Sequence, residues 1–570
     1  MTSIWPPEHR RNKLSTSTTS ALTMVIKKAL ESFYLSAEVL EKIRQSGLYH
    51  DSKTFVDMPL KVDYSAKLQK KILECTDPKD LLKILHRYFE QPGVNELMKV
   101  NLEIDSHPEP KFISNIKDPE YKSWAMHLCK IWSKLVRRVN PELLNRQDNH
   151  SLIYLEKPFV IPGGRFREVY YWDTYWSILG LLHSEMFDIV KGILENLLSL
   201  VERYGFVPNG GRKYYENRSQ PPFLTLMVKA YYDVTKDIDF AKSSLPTLMK
   251  EHDFWMEQRS VLIEYNNKLY TMNRYNVSTD QPRPESFKED LETMEKAGHH
   301  NDKSKQTEIY SNLASAAESG WDFSSRWLKE SHKLETIVTR DIVPVDLNSV
   351  LCAVEFTLSD LHQIVATGDY ASQKYSKMAN KRLSGIDELF WNEQHGLWCD
   401  FDLPKNEILS EYYASVFFPI WIFSTYAAQP SANLGRAFEK VKSLGVLNYC
   451  GGLPTSLIES GQQWDFPNVW PPLQHIAVES LDPRTNQMSS SEQQEAGKNL
   501  AKQFIENAYI SWKTTGHMYE KYDVREYGKA GHGGEYDVQE GFGWTNGVIL
   551  DFLSKYGHEL SAPKINTGKE

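Results

Sequence analysis

No run in the 570-residue sequence is apolar for long enough to cross a bilayer. The most apolar stretch, Val416–Phe423, is interrupted by Pro419, whereas a spanning helix needs roughly 20 apolar residues. The first 30 residues show no apolar core followed by a small-residue cleavage site, and the last ten, SAPKINTGKE, are polar, so neither an export signal nor a lipid-anchor signal is legible. Cysteine is scarce. Cys75, Cys129, Cys352, Cys399 and Cys450 are odd in number, widely spaced and form no CxxC. That excludes a disulfide framework and a zinc ribbon, and leads us to expect free thiols in a reducing, cytoplasmic setting. The sequons at Asn149, Asn217 and Asn276 carry little weight without an export signal. A basic excess is also missing. Lys and Arg number 66 against 75 Asp and Glu, a net charge of −9, which argues against nucleic acid as a partner. HExxH, EF-hand and GxSxG motifs are absent, and the glycine-rich Gly528–Gly534 lacks the GK[ST] of a phosphate loop. No metal or cofactor is expected, and Gly528–Gly534 reads as a mobile cover over a site.

What the chain has in quantity is aromatic side chains, 15 Trp, 30 Tyr and 24 Phe. Disordered chains are poor in these. Some follow helical spacing. In 120–139 Tyr121, Trp124, Leu128, Trp132 and Leu135 recur every three or four residues, and in 346–367 Leu347, Val350, Leu351, Val354, Leu358 and Leu361 do the same. Further helical runs are predicted near 21–34, 78–91, 174–203, 223–235, 240–258, 285–297, 307–317, 370–391, 410–428, 430–444, 490–512 and 543–556. The clearest strand signal is 397–403 after the turn residues 393–396. The class is mainly α. Residues 1–20 read as a flexible, Ser/Thr-rich arm, 21–560 as a single domain and 561–570 as a polar tail. The WD pairs at Trp172, Trp321 and Trp464 are spaced far more widely than the roughly 40–45 residues of a propeller repeat.

The other aromatics sit in long loops between the helices: PGGRFREVYYWDTYW (162–176), NGGRKYYENRSQPP (209–222), ESGWDFSSRW (318–327), QWDFPNVWPP (463–472) and HGGEYDVQEGFGWTNG (532–547). Rings beside carboxylates and guanidinium groups suit a sugar, whose C–H face packs on an aromatic ring while its hydroxyls take bidentate polar partners. Trp172, Trp321, Trp464, Trp470 and Trp544 are expected to wall such a pocket, with Trp124 and Trp132 in the core. Carboxylates in this setting point to glycoside hydrolysis, which needs one protonated acid and one ionised base or nucleophile. Asp173, Glu285, Asp322, Asp465, Glu520 and Glu535 are the candidates, and composition and spacing do not rank them.

The first and fourth of these loops resemble the two signature segments of the trehalases of glycoside hydrolase family 37. ESGWDFSSRW, MYEKYD (518–523) and GGEYDVQEGFGWTNG (533–547) resemble that family's other active-site blocks, in the same order, over about residues 55–557. The resemblance implies an (α/α)6 barrel of six outer and six inner helices, and inverting hydrolysis of α,α-trehalose, a small-molecule substrate, to two glucose molecules. By motif it places Asp322 as general acid and Glu520 as general base. It places three essential arginines at Arg165, Arg218 and Arg283, and further sugar contacts at Trp172, Asp173, Asn209, Gln220, Glu285, Gly320 and Glu535. Inversion implies carboxyl groups about 6.5–9.5 Å apart, with room for one water, and a pKa of the acid shifted upward. Two features of relatives are not legible here: the export signal of animal members and the calcium loop of the fungal neutral branch. The arm with Arg10 and Arg11 reads as a tail rather than a kinase target. An inverting glucosidase acting on another α-glucoside, or a catalytically inactive disaccharide sensor, remains the alternative.

Overall fold

The computed structural model describes residues 33–62, 65–102, 109–366, 370–484, 490–537, 539 and 541–564. The arm at 1–20, most of the run at 21–34 and the end of the polar tail lie outside them. The amphipathic runs become helices with legible start signals. Asp118 accepts hydrogen bonds from Glu120 N and Tyr121 N at 3.0 and 3.1 Å, Pro119 occupies the first turn, and helix Pro119–Leu135 buries Tyr121, Trp124, Leu128 and Trp132. Asp77 caps Pro78–Tyr88 in the same way.

Several boundaries differ from the expected ones. The last residues of 120–139 leave the helix, and Val136–Val139 pairs as a strand with Leu97–Lys99, a conformation that suits β-branched valines. The run at 174–203 is two helices, Asp173–His183 and Phe187–Tyr204, with Glu185 at φ 57° where the chain reverses. The stretch expected as strand 397–403 is two short strands, Leu397–Trp398 returning on Trp391–Asn392 and Phe401–Asp402 pairing with Glu407–Ile408. A second hairpin, Ser260–Tyr265 with Lys268–Asn273, turns through Asn266 and Asn267, both at positive φ. Pro471–Pro472, read as loop, opens helix Pro471–Leu481, because a proline without N–H costs nothing in a first turn.

Six helices touch in a closed ring: Asp173–His183, Leu224–Thr235, Val345–Val365, Phe417–Thr425, Pro471–Leu481, Gly543–Tyr556, and back to Asp173–His183. Six more pack outside it: Pro119–Leu135, Phe187–Tyr204, Ile238–Gln258, Tyr370–Leu389, Leu434–Ser443 and Ser491–Thr515. Inner and outer helices alternate along the chain, so the architecture is an (α/α)6 toroid. The inner helices are buried on all sides, as Val345–Val365 and Gly543–Tyr556 show. Residues 33–89 form a separate apolar cluster that closes on Tyr170, Tyr214, Tyr215 and Phe287 from the barrel loops. Among the described residues no helix is long and apolar enough to cross a membrane.

The ring closes where helices Asp173–His183 and Gly543–Tyr556 meet through two glycines. A Cβ on Gly547 would lie 1.9 Å from the carbonyl oxygen of Trp176, and one on Gly180 would lie 2.6 Å from Gly547 Cα. Gly547→Ala is therefore expected to cost about 2 kcal/mol or more through overpacking, read as a lowered denaturation midpoint. Gly435→Ala, in an outer helix with nothing within 4 Å of the new Cβ, is expected to be neutral or slightly stabilising. Equal effects of the two would refute the close-approach explanation.

Candidate active site

A cavity opens where the long loops converge, and every residue singled out by motif lines it: Asp322 and Glu520, then Arg165, Trp172, Asp173, Asn209, Arg218, Gln220, Arg283, Glu285, Gly320 and Glu535. Asp465 does not. It is fully buried and accepts hydrogen bonds from Ser325 N (2.7 Å), Ser324 Oγ (3.0 Å), Ser456 Oγ (2.9 Å) and Ser460 Oγ. It pins the 463–472 loop to the one carrying Asp322 and has no capacity left for a substrate. Trp321 is also displaced from its expected place on the wall. It stacks behind Trp464 at 5.4 Å, and the Arg326 guanidinium lies 4.5 Å from its ring. Arg326 in turn forks onto Asp346 and Asp400, each at 2.7 Å, bracing the loop from below. Trp172, Trp464, Trp470 and Trp544 do form the wall, with Trp464 and Trp470 stacked at 3.8 Å and 1°. Trp124 and Trp132 are core.

Asp322 lies at the exit of helix Lys303–Ser319, which Gly320 ends at φ 76°. A Cβ on Gly320 would be 2.8 Å from the Trp172 ring, so only glycine lets the turn and the tryptophan meet. Burial pushes the Asp322 carboxyl up to about 6 against the pull of Arg283 and Arg218. Both guanidiniums are paired with carboxylates, and one of these, Glu285, pushes the Asp322 carboxyl up in turn. Arg283 holds Asp290 through Nε and Nη2, with a shortest contact of 2.6 Å, and reaches Glu535 at 3.1 Å. Arg218 pairs with Glu285. Asp290 was not singled out from the sequence, because it lies in a charged run that reads as solvated helix.

Glu520 stands in the bend between helix Ser491–Thr515 and strand Tyr522–Asp523. Its N–H donates to Gln539 O at 2.9 Å and its C=O accepts from Trp544 Nε1 at 2.9 Å. Oε1 accepts from Tyr536 OH at 2.9 Å, whereas Oε2 is buried and accepts no hydrogen bond among the described residues. Burial raises its pKa, opposed by the Lys521 ammonium and the Tyr536 hydrogen bond. Asp173, at the first position of its inner helix, is raised well above the usual carboxylate range by burial and then by the charge of Glu520. Burial lifts Glu535 to about 7. Near neutrality Glu535 therefore carries a proton for part of the time, and can donate to a hydroxyl as well as accept from one.

The layer at 33–89 reaches into the cavity. Asp51 caps helix Ser52–Val56 and its Oδ1 accepts from Arg165 Nη2 at 2.8 Å, while the Arg165 guanidinium stacks over Tyr536 at 4.7 Å. Lys53 lines the cavity and pairs with Glu168 at 2.6 Å and Asp57 at 2.7 Å. Neither residue was identified from sequence, since a short helix far from the loops carries no mark of where it docks. Gln220 Oε1 accepts from Trp172 N at 3.1 Å, and Asn209 Nδ2 donates to the carbonyls of Ser219 and Ala317, so both hold loops together as well as facing the cavity. The Gly528–Gly534 segment is tied down through Gly528 N to Asn507, Gly531 N to Lys521 O and His532 N to Asn468, which does not fit a mobile cover.

Among the described residues one group, His475, Glu479 and Asp551, has the donor set for a cation. It lies outside the cavity, and the Lys555 ammonium already bonds both of its carboxylates, Asp551 at 2.7 Å and Glu479 at 2.5 Å.

The trehalase family model matches residues 47–557 of the chain. The human trehalase is 40% identical over 538 residues, covering 93% of this chain and 90% of its own length, and the trehalase of Bombyx mori is 37% identical over 542 residues, covering 93% and 91%. Among solved structures, the neutral trehalase Nth1 from Saccharomyces cerevisiae aligns with a TM-score of 0.55 at 23% identity, over 70% of this chain and 75% of that one, a likeness of fold. With a family match over nearly its whole length and its signature loops gathered round one cavity, the chain belongs to the trehalase family of glycoside hydrolases.

Proposed function

We propose that the chain hydrolyses α,α-trehalose to two glucose molecules with inversion, with Asp322 as general acid and Glu520 as general base. The observation that carries this reading is the unlike treatment of two carboxylates in one cavity. Asp322 sits among guanidiniums whose charge is already compensated, so burial keeps its proton available near neutrality. Glu520 faces a buried ammonium and keeps one oxygen unengaged, which suits a group that takes a proton from water. Burial raises both carboxyls, and it is their unlike neighbours that suit the separate acid and base roles of glycosidic hydrolysis. Trehalose joins two anomeric carbons, so both halves must be held as glucose. The arginines, Asp173, the part-protonated Glu535 and the tryptophan wall supply polar and apolar partners around the cavity. The five unpaired thiols support a reducing, cytoplasmic setting.

The deciding experiment compares glucose release from trehalose, maltose and nigerose by the purified chain, with NMR of the first-formed anomers. Equal amounts of α- and β-glucose from trehalose are expected. Turnover of maltose but not trehalose would refute the substrate, and α-glucose alone would refute inversion.

Asp322→Ala and Glu520→Ala are each expected to lose at least about 10³-fold in kcat, with azide restoring turnover in the second as β-glucosyl azide. Full activity in either variant would remove that residue from its role.

The pH dependence follows from the sign of the shift. Asp322 must be protonated to act, so kcat/KM is expected to fall as pH rises through about 6. The same raised pKa means that the folded state binds a proton the unfolded chain has released. Folding is therefore favoured below the unfolded pKa of the group, and that advantage is lost as pH rises through about 6. Asp322→Asn is thus expected to melt higher than the parent chain at pH 8 and alike at pH 4. A variant less stable at pH 8 would contradict the buried, proton-holding state.

A further inference from the structure

Lys521 is the residue beside Glu520, and its side chain is fully buried. The carboxylate within 4.0 Å of its Nζ among the described residues is that of Glu520, with Oε2 at 3.7 Å. That is close enough for strong charge attraction and too long for a hydrogen bond. The ammonium spends a donor instead on Gln463 Oε1 at 2.7 Å, and it lies 4.9 Å over the Trp470 ring. The other end of the Gln463 amide donates to the main-chain carbonyl of Asp322. Gln463 is itself locked: its own carbonyl accepts from Trp470 Nε1 at 2.8 Å and Asn468 Nδ2 at 2.9 Å. A Cβ on Gly534 would come within 2.8 Å of its side chain, so the backbone of the 533–534 turn lies directly against it.

We propose that Lys521, held back by Gln463, is a positioning residue that keeps Glu520 ionised without occupying Oε2, and that the Gln463 amide fixes the acid and the base to one another. An ammonium hydrogen-bonded to Oε2 would favour the carboxylate more strongly but would take the lone pair that the attacking water needs, and would make the base weaker. An absent ammonium would leave Glu520 buried beside other acids. The groups that face Glu520 are Tyr536, whose hydroxyl donates to Oε1, Arg165, which stacks on Tyr536, Asp173, and Lys521, with Asp322 beyond Tyr536 and Lys521. Of the two cations, Lys521 pulls harder on Glu520 than Arg165 does, and Arg165 already serves Asp51. Burial lowers the pKa of Lys521, and Glu520 and Asp322 counter that and help keep it charged.

This proposal rests on Glu520 being the base, and the two fail differently. If Glu520→Ala keeps its activity, the base assignment falls. If Glu520→Ala is inactive and azide rescues it, the bridge is tested by Lys521→Met and Gln463→Leu, using the pH profile of kcat/KM on trehalose. Lys521→Met is expected to move the acidic limb up by about one pH unit and to lower kcat about 10-fold or more, with KM changed less than about threefold. Gln463→Leu frees the ammonium to close on Oε2, so its acidic limb is expected to move down while kcat also falls. Lys521→Arg is expected to restore the position of the limb in part. A merely structural role for either residue would lower activity with the limb unmoved. An unmoved limb in Lys521→Met, or limbs moving the same way in both variants, would overturn the proposal. Should Lys521→Met not fold, Lys521→Gln carries the same arm of the test.

Discussion

Asp322, a carboxyl group whose pKa burial raises, lies in a cavity lined by three arginines, and each of those arginines is paired with a carboxylate. Asp290 and Glu535 take the charge of Arg283, Glu285 takes that of Arg218, and Asp51 takes that of Arg165. The Arg283–Asp290 and Arg218–Glu285 pairs are buried, where an unpaired charge would cost several kcal/mol, whereas Arg165 and Asp51 are partly exposed. The guanidiniums still pull on Asp322, and burial outweighs them. Burial then decides the state of Asp322.

This arrangement needs a scaffold that does not give. The inner ring supplies it through close helix approach at Gly180 and Gly547. The loops above are fixed by two buried knots, the Asp465 serine cage and the Arg326 fork onto Asp346 and Asp400. The 33–89 layer adds a third side. Its Lys53 joins Asp57, Glu168 and Arg212 in a buried network beneath the cavity floor, and Asp51 reaches the rim. A catalytic barrel whose site is completed by an N-terminal layer couples the docking of that layer to the position of Arg165.

Several of these parts were invisible beforehand for a common reason. Asp465 and Asp322 occupy matching WDF contexts in separate loops, and only the surroundings separate them: four serines converge on one, a cavity opens before the other. Trp321 and Trp464 likewise share a motif, yet one is backing and the other wall. Lys521 and Gln463 each lie inside a motif that the sequence marked, but their link spans 58 residues of chain. Asp51 and Asp290 lie in short or charged helices with no local sign of their partners.

From the sequence alone the helical class, most of the ring helices, the family and twelve of the cavity-lining residues could be read. Helical period and proline or aspartate caps are local properties, and long motifs carry their own order. What only the tertiary structure decided is how like residues divide: which carboxylate faces an ammonium, which merely ties loops together, and which tryptophan meets the cavity. Those outcomes depend on burial and on charges within a few ångströms, and such neighbours come from chain segments hundreds of residues apart.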